Sequence, residues 1–318
     1  MDRDLLPHFP IVLAVARRGG FASAATALNM SPSSVSHAVK AVEDRLGLPL
    51  FVRTTRSVAL TEAGASFIAA IGPALRAVEE SIDQLRAAKG QVAGVLRLNA
   101  PRVALPLAIT SIVLEMTRLY PDLTIEVTAD DGLVDIVAEG FDAGVRLGEM
   151  IAQDMIAVRL TEPFEAIMVA APSYLDGRGS PETIADLAAH NCIGYRLMSS
   201  DAVYAWDLQD GGRELAVSVS GSVRVTDSLY ARELALRGVG IAYLFEPLVR
   251  DDLQIGRLKR ILPKASIEEP GLFLYFPRYA SETPKLRAFI DTARKVGRTK
   301  GSPADGVAPG RGACWQRS

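Results

Sequence analysis

The stretch SPSSVSHAVKAVEDRLGLPLF, residues 31–51, decides the fold of the N-terminal part of the chain. Ser31 is a good helix N-cap, and Pro32 suits the first helical position because its missing N–H would have no intrahelical partner there. Val35, Val39, Val42 and Leu46 follow at helical spacing as a core stripe, and Gly47 supplies the stop. The opposite face carries Ser33, His37, Lys40 and Asp44, with Ser36 on its flank. Short hydroxyls on an outward face let the helix backbone approach a partner closely, where long charged side chains would hold it away.

Working outward, apolar residues from Leu5 to Ala16 recur at helical spacing, Gly19-Gly20 breaks the pattern, and Phe21 to Leu28 forms a second short helix closed by an Asn29-Met30 turn. On the other side, LFVRTTRSVALT has β-branched residues flanking Arg53 and Arg56, the pattern of a two-stranded hairpin with a basic tip. Thr61 then caps a long helix running to about Lys89. Its apolar positions Phe67, Ile71, Ala74, Val78, Ile82 and Leu85 make a narrow stripe that predicts a coiled-coil dimer.

Composition sets the outer bounds. At 318 residues the chain predicts two or three domains. Its 49% hydrophobic and 23% charged residues fit a soluble globular protein. The apolar run Ile11 to Ala16 is preceded by acids and followed by Arg17-Arg18, so no signal peptide is expected. No segment reaches the roughly 18 apolar residues of a membrane span, and a cytoplasmic location without membrane partners is expected. Net charge is −2 overall, yet residues 1–90 hold ten Lys and Arg against eight Asp and Glu, so the positive excess is N-terminal. The two cysteines, Cys192 and Cys314, show no metal or disulfide spacing, and neither a metal nor a cofactor is expected.

Beyond residues 90–94 the pattern changes to an α/β body. VLRLNA, LTIEVTA, FDAGVRLG, MIAVRLT and FEAIMVAA read as strands alternating with helical stretches, notably Leu105 to Leu119 and Leu133 to Glu139. A strand near Ser222 to Val225, a helix Leu229 to Leu236, strands Ile241 to Phe245 and Leu272 to Phe276, and a last helix Pro284 to Lys295 follow. Gly211-Gly212 marks a hairpin turn, and the tail from residue 297 has too little apolar pattern to order itself.

The run FASAATALNMSPSSVSHAVKAVEDRLGLPLFVRTTRSVALTEAG resembles the winged helix-turn-helix of LysR-type transcriptional regulators, and DGLVDIVAEGFDAGVRLG resembles the start of their effector domain. The resemblance spans about residues 3–295. It implies an N-terminal all-α winged helix-turn-helix at 1–60 and a linker and dimerisation helix at 61–92. The α/β effector domain at 93–296 is then two-lobed and periplasmic-binding-protein-like, with lobe I at 94–162 and 268–296 and lobe II at 163–267. A disordered tail at 297–318 completes the layout. The resemblance further implies a homodimer or homotetramer on double-stranded operator DNA, with half-sites about one helical turn, ~34 Å, apart.

Residues placed at the DNA by this likeness are Pro32, Ser33, Ser36, His37 and, on the wing, Arg53. Lys40 and Arg56 join them on charge and position, at phosphates or the minor groove. The commoner family pattern has Gln-Pro where this chain has Pro32-Ser33, and Arg where it has His37. Histidine lacks the guanidinium fork that reads guanine, which shifts sequence choice toward DNA shape.

The periplasmic-binding-protein likeness puts a small-molecule effector between the lobes, at the carboxyl ends of strands. The residues just after the strands are Asn99, Pro101, Arg102, Thr128, Arg146, Thr226, Asp227, Ser228 and Phe245. Ordinary capping competes for Thr226 and Ser228, and Arg146 has Asp135 or Asp142 as candidate partners. Arg102 at a helix start is unfavourable unless an anion or acid compensates it, which favours a carboxylate effector.

Three rival readings remain. Only His8, His37 and His190 are present, none in a triad or metal context, so no catalytic residues are expected and an enzyme is disfavoured. A cytoplasmic solute-binding protein with a dimerising helical domain fits the body but not the serine-faced helix. A redox sensor built on Cys192 lacks a nearby resolving thiol.

Overall fold

The computed structural model describes residues 4–53, 58–87, 91–152, 154–198 and 200–299. The chain divides into two compact units, Met1–Gln91 with Val137–Gly140 and Val92–Ile136 with Phe141–Ser318.

In the first unit, a 3-10 turn at Leu6–His8 leads into α1 (Phe9–Arg18), followed by α2 (Phe21–Leu28), α3 (Pro32–Leu46), a hairpin of β1 (Phe51–Arg53) and β2 (Val58–Leu60), and α4 (Glu62–Ala87). The helix expected from Leu5 thus starts four residues later, because two prolines, Pro7 and Pro10, tighten the entry. Val12, Val15, Ala24, Ala25, Val35, Val39 and Val42 form the core, closed by Leu50 and Phe51. Leu46 is a correction: it is 41% exposed, because Gly47 at φ 71° turns the chain away, and Ala38 is buried on the inner face instead. The α4 stripe also divides. Phe67 packs edge-on to Phe9 at 5.4 Å and belongs to this core, whereas Val78, Ile82 and Leu85 are 59%, 45% and 71% exposed.

Among its described residues, the second unit holds two main sheets and two two-stranded ones. β3 (Gly94–Ala100) is followed by a π-turn at Leu105–Ile109 that runs straight into α5 (Thr110–Leu119), then β4 (Leu123–Ala129), β5 (Ala143–Leu147) and β6 (Met155–Arg159). β7 (Phe164–Ala170), α6 (Pro172–Arg178), β8 (Gly194–Tyr195), β9 (Trp206–Asp210), β10 (Arg213–Val217), β11 (Arg224–Val225) and α7 (Ser228–Leu236) come next. The chain ends through β12 (Ala242–Phe245), α8 (Glu246–Gln254), β13 (Lys259–Ile261), β14 (Ile267–Glu269), β15 (Leu272–Pro277) and α9 (Pro284–Thr299). The first sheet runs β4-β3-β5-β15-β6, with β3 parallel to β4 and β5, and β15 antiparallel to both of its neighbours. The second is β12-β7-β13, with β14 also on β7. Two connecting segments run side by side between the sheets, tied by Leu160 N–H to Leu272 O at 2.8 Å and Leu272 N–H to Thr161 Oγ1 at 2.9 Å.

Two expectations fail here. The helix expected at 133–139 is absent: 133–135 have no regular structure and 136–140 are turns, closed by Gly140 N–H to Val137 O and Phe141 N–H to Ile136 O. The left-handed Gly140 at φ 78° ends any helical run after a single turn. Residues 297–299 were expected in a disordered tail but complete the amphipathic α9; the rest of that expectation, 300–318, lies outside the described residues.

One charge cluster stabilises the second sheet from behind. Asp252, fully buried on α8, accepts Arg232 Nε at 2.6 Å and a further bond from Arg257. Asp252→Ala is expected to cost about 2 kcal/mol, below the usual loss for a buried pair because both arginines are part-exposed and can turn to water. Urea unfolding of the variant reads this directly; an unchanged midpoint removes the cluster from the stability of this unit.

Candidate functional site

The first candidate surface is the outer face of α3. Ser31 accepts Ser34 N–H at 3.1 Å, and its hydroxyl lies 2.8 Å from those of both Ser33 and Ser34, so the cap and the first turn share one hydroxyl network. Pro32, Ser33, His37 and Lys40 are exposed and Ser36 is half-buried on the flank. Glu43, on the inner side, accepts the backbone N–H of Leu50 at 2.8 Å and of Phe51 at 3.2 Å, fixing the start of the wing against α3. Sequence reading passed over Glu43; its position one turn beyond Val39 was the available signal. Arg53 sits in register with Val58 across the wing, and Arg56 lies outside the described residues.

The second is a cavity of about 380 Å³ between the two sheets of the second unit. Such a volume is within the usual range of small-molecule sites. Of the nine residues expected at a cleft, Pro101, Arg146, Ser228 and Phe245 line it. Asn99, Arg102 and Thr226 do not line it but bond the lining residues Arg146, Asp131 and Tyr195, and Asp227 directly precedes the lining Ser228. Thr128 is exposed on β4, paired with Asn99, and does not line the cavity.

Arg102 is already compensated. Asp131 accepts its backbone N–H at 2.9 Å and its guanidinium at 2.5 Å, and Asp227 lies 3.9 Å from its Nε. Asp227 also caps α7 through Leu229 N–H at 2.7 Å, so this ion pair ties the first-sheet lobe to a helix of the other. The charge argument for an anion at Arg102 is therefore met from within the protein. Arg146 has neither Asp135 nor Asp142 as its ion-pair partner. Its Nη groups donate to Val145 O, Asn99 Oδ1 and Gly132 O, while Asp142 pairs with Lys285 at 2.9 Å. Burial lowers the Arg146 pKa, which nearby Tyr275, Asp130 and Asp131 partly offset.

Most of the cavity wall was not anticipated. Tyr195, Tyr204, Trp206 and Tyr243 line it with Asp131 and Glu269. Trp206 stacks on Tyr243 at 5.6 Å, and Tyr204 is 6.4 Å from Tyr243. The signal was present: Tyr204 and Trp206, like Tyr243 and Phe245, are two residues apart and so share one face of an extended chain. Burial is the main cause that raises the pKa of Tyr195, Tyr204 and Tyr243, so all three remain neutral phenols. Cys192 is also fully enclosed, its thiol pushed up to about 11 by burial, which disfavours a reactive thiolate there. Among the described residues no helix is long and apolar enough to cross a membrane.

Residues 6–65 match the family model of the bacterial regulatory helix-turn-helix protein, lysR family, and residues 89–298 match that of the LysR substrate binding domain. The chain belongs to the LysR family of transcriptional regulators. It is 38% identical over 286 residues to the uncharacterised HTH-type transcriptional regulator YcaN of Escherichia coli K12, covering 90% of this chain and 93% of that one. It is 32% identical over 297 residues to the E. coli K12 HTH-type transcriptional regulator PgrR, covering 93% and 99%. In fold it is similar to full-length AphB, a Vibrio cholerae virulence activator, with a TM-score of 0.63, 22% identity and coverage of 91% and 98%. The regulator's helix-turn-helix thus lies within the first unit, and its substrate binding domain takes in the body with the aromatic cavity.

Proposed function

We propose that this regulator is a cytoplasmic homodimer or homotetramer that holds operator DNA with α3 and the wing, and changes its grip when a small molecule fills the cavity. The observation that carries this reading is the joining in one chain of a helix face of exposed short polar side chains to a cavity walled by both sheets. Ser33, Ser36, His37 and Lys40 would meet base edges and phosphates, with Pro32 letting the helix start sit close and Arg53 and Arg56 reaching backbone or minor groove. Val78, Ile82 and Leu85 supply an exposed apolar strip for pairing two copies along α4. Closure needs only an effector that prefers one arrangement of the lobes, and the Arg102 to Asp227 ion pair is a contact such a preference can make or break. No catalytic step is assigned to the cavity. A solute-binding protein would leave the polar face of α3 without a role.

Selection of fragmented genomic DNA by the purified protein tests the reading. Recovered fragments are expected to share an interrupted palindrome with half-sites about one turn apart. Recovery indistinguishable from bulk DNA would reject the regulator reading in favour of solute binding. On a recovered fragment, Arg53→Ala is expected to weaken binding to all sequences alike and to lower the salt slope by about one phosphate contact. An unchanged slope takes the wing off the DNA.

A further inference from the structure

Unsatisfied donors meet at one wall of the cavity, and what they imply about the ligand rests on the reading of this cavity as the effector site. Among the described residues, three buried side-chain nitrogens have no hydrogen-bond partner, and two of them, Arg146 Nε and Asn99 Nδ2, belong to side chains bonded to each other. Arg146 lines the cavity and is only 2% exposed. A buried polar group left without a partner calls for an explanation.

A guanidinium carries five N–H donors and no acceptor. Nη2 donates to Asn99 Oδ1 at 2.8 Å and to Gly132 O at 2.5 Å, and Nη1 donates to Val145 O at 2.7 Å. The Nε–H and one Nη1 N–H therefore remain, and every oxygen bonded to the group is neutral. A buried charge held by neutral groups alone is costly. Burial accordingly lowers the Arg146 pKa, and Tyr275, Asp130 and Asp131, which do not bond it, offset only part of that effect.

The acids around this wall have donors of their own. Asp131 takes the backbone N–H and the guanidinium of Arg102, and Asp130 takes Gly132 N–H at 2.8 Å. The Glu269 charge bears on Tyr204 and Tyr243. Asp130 and Asp131 do limit what can be added beside Arg146: one negative charge completes it, whereas a second would be repelled. Elsewhere the wall is largely apolar or aromatic, with Leu133, Leu147, Ile193, Trp206 and Phe245 among its residues.

We infer that the effector is a monocarboxylate on an apolar body of about one ring, its carboxylate accepting the remaining Nη1 N–H of Arg146 and supplying the counter-charge that the fold leaves out. The class is the one Arg102 suggested from sequence, but the recipient is Arg146, because Asp131 already answers Arg102.

Fluorescence reads occupancy directly, because the chain has two tryptophans and Trp206 lines the cavity. In a Trp315→Phe background Trp206 is the sole reporter. Benzoate, phenylacetate and 3-phenylpropanoate are each compared with the amide of the same acid, and phenylsuccinate serves as the dianion. At least one monocarboxylate is expected to saturate the signal with a Kd tenfold or more below those of its amide and of phenylsuccinate. Asn99→Asp places a carboxylate at the oxygen that already lies 2.8 Å from Arg146 Nη2, so the counter-charge comes from within. This variant is expected to bind that monocarboxylate at least tenfold more weakly and the amide as before, with thermal unfolding as the control for folding. Unchanged carboxylate affinity in folded Asn99→Asp, equal binding of acid and amide in all three pairs, tighter binding of phenylsuccinate, or no saturable response to any of the acids up to ~10 mM overturns the assignment. If Asn99→Asp does not fold, the ranking of acids, amides and dianion on the parent protein still decides. Failure of the effector reading is separate: the monocarboxylate would then saturate the Trp206 signal and leave the operator footprint unchanged, with the ligand class still standing.

Discussion

Gly64→Ala is expected to disrupt the DNA-binding unit and with it all specific operator binding. A Cβ at position 64 would lie 2.0 Å from Leu50 O and 2.9 Å from Leu50 C. Neither atom is at the end of a flexible side chain. The same carbonyl accepts Thr61 N–H at 3.0 Å, and Thr61 Oγ1 in turn accepts Gly64 N–H at 2.9 Å while donating to Pro49 O at 2.7 Å. Moving the start of α4 away from the wing therefore breaks the cap as well as relieving the clash. The cost is about 3 kcal/mol or more, the upper part of the range for overpacking, because backbone does not yield as a side chain does. Thermal unfolding followed by circular dichroism is expected to show an early transition for the first unit, with that of the second unit in place. A wild-type melting profile would mean that α4 does not approach Leu50 as described.

The second large effect comes without unfolding. Ser36→Ala combined with His37→Ala removes two polar side chains from the α3 face and leaves Val35, Ala38, Val39 and Val42 in the core untouched. A bidentate base contact is worth about 1–3 kcal/mol of discrimination, and single hydrogen bonds from Ser36 and His37 fall at about 1–2 kcal/mol each, so each half-site is expected to lose roughly 2–4 kcal/mol, about 30- to 1000-fold in affinity. Binding to unrelated DNA depends on phosphates and is expected to persist. Competition between operator and random DNA, with melting temperature as the control, separates this result from that of Gly64→Ala. Undiminished discrimination would place base reading on another surface.

The legibility of the fold follows from how local its signals are. Ser31, Pro32 and Gly47 act within one turn of the helix ends they set, so both limits of α3 could be read directly. β3 to β7, β12 and β15 were legible from their apolar and β-branched runs, whereas β9, β13 and β14 were not read as strands. Leu46 was misplaced because periodicity does not say where the chain turns away, and 133–139 because its apolar spacing ignored the left-handed turn at Gly140. The cavity was harder still. Arg102 was read as a helix-start cation needing an anion or an acid, and the acid that meets it, Asp131, is 29 residues on. Glu269 and Tyr204 are 65 residues apart and come together only because β14 returns to β7, a pairing no local pattern encodes.

The most direct test of the central claim is a footprint of the purified regulator on the DNA flanking its own gene, repeated across salt concentrations. The account predicts protection of an interrupted palindrome, with log affinity falling steeply and linearly against log salt as several phosphate contacts release counterions. Absence of protection at low salt from an intact dimer would contradict it and turn the account to solute binding in the cavity.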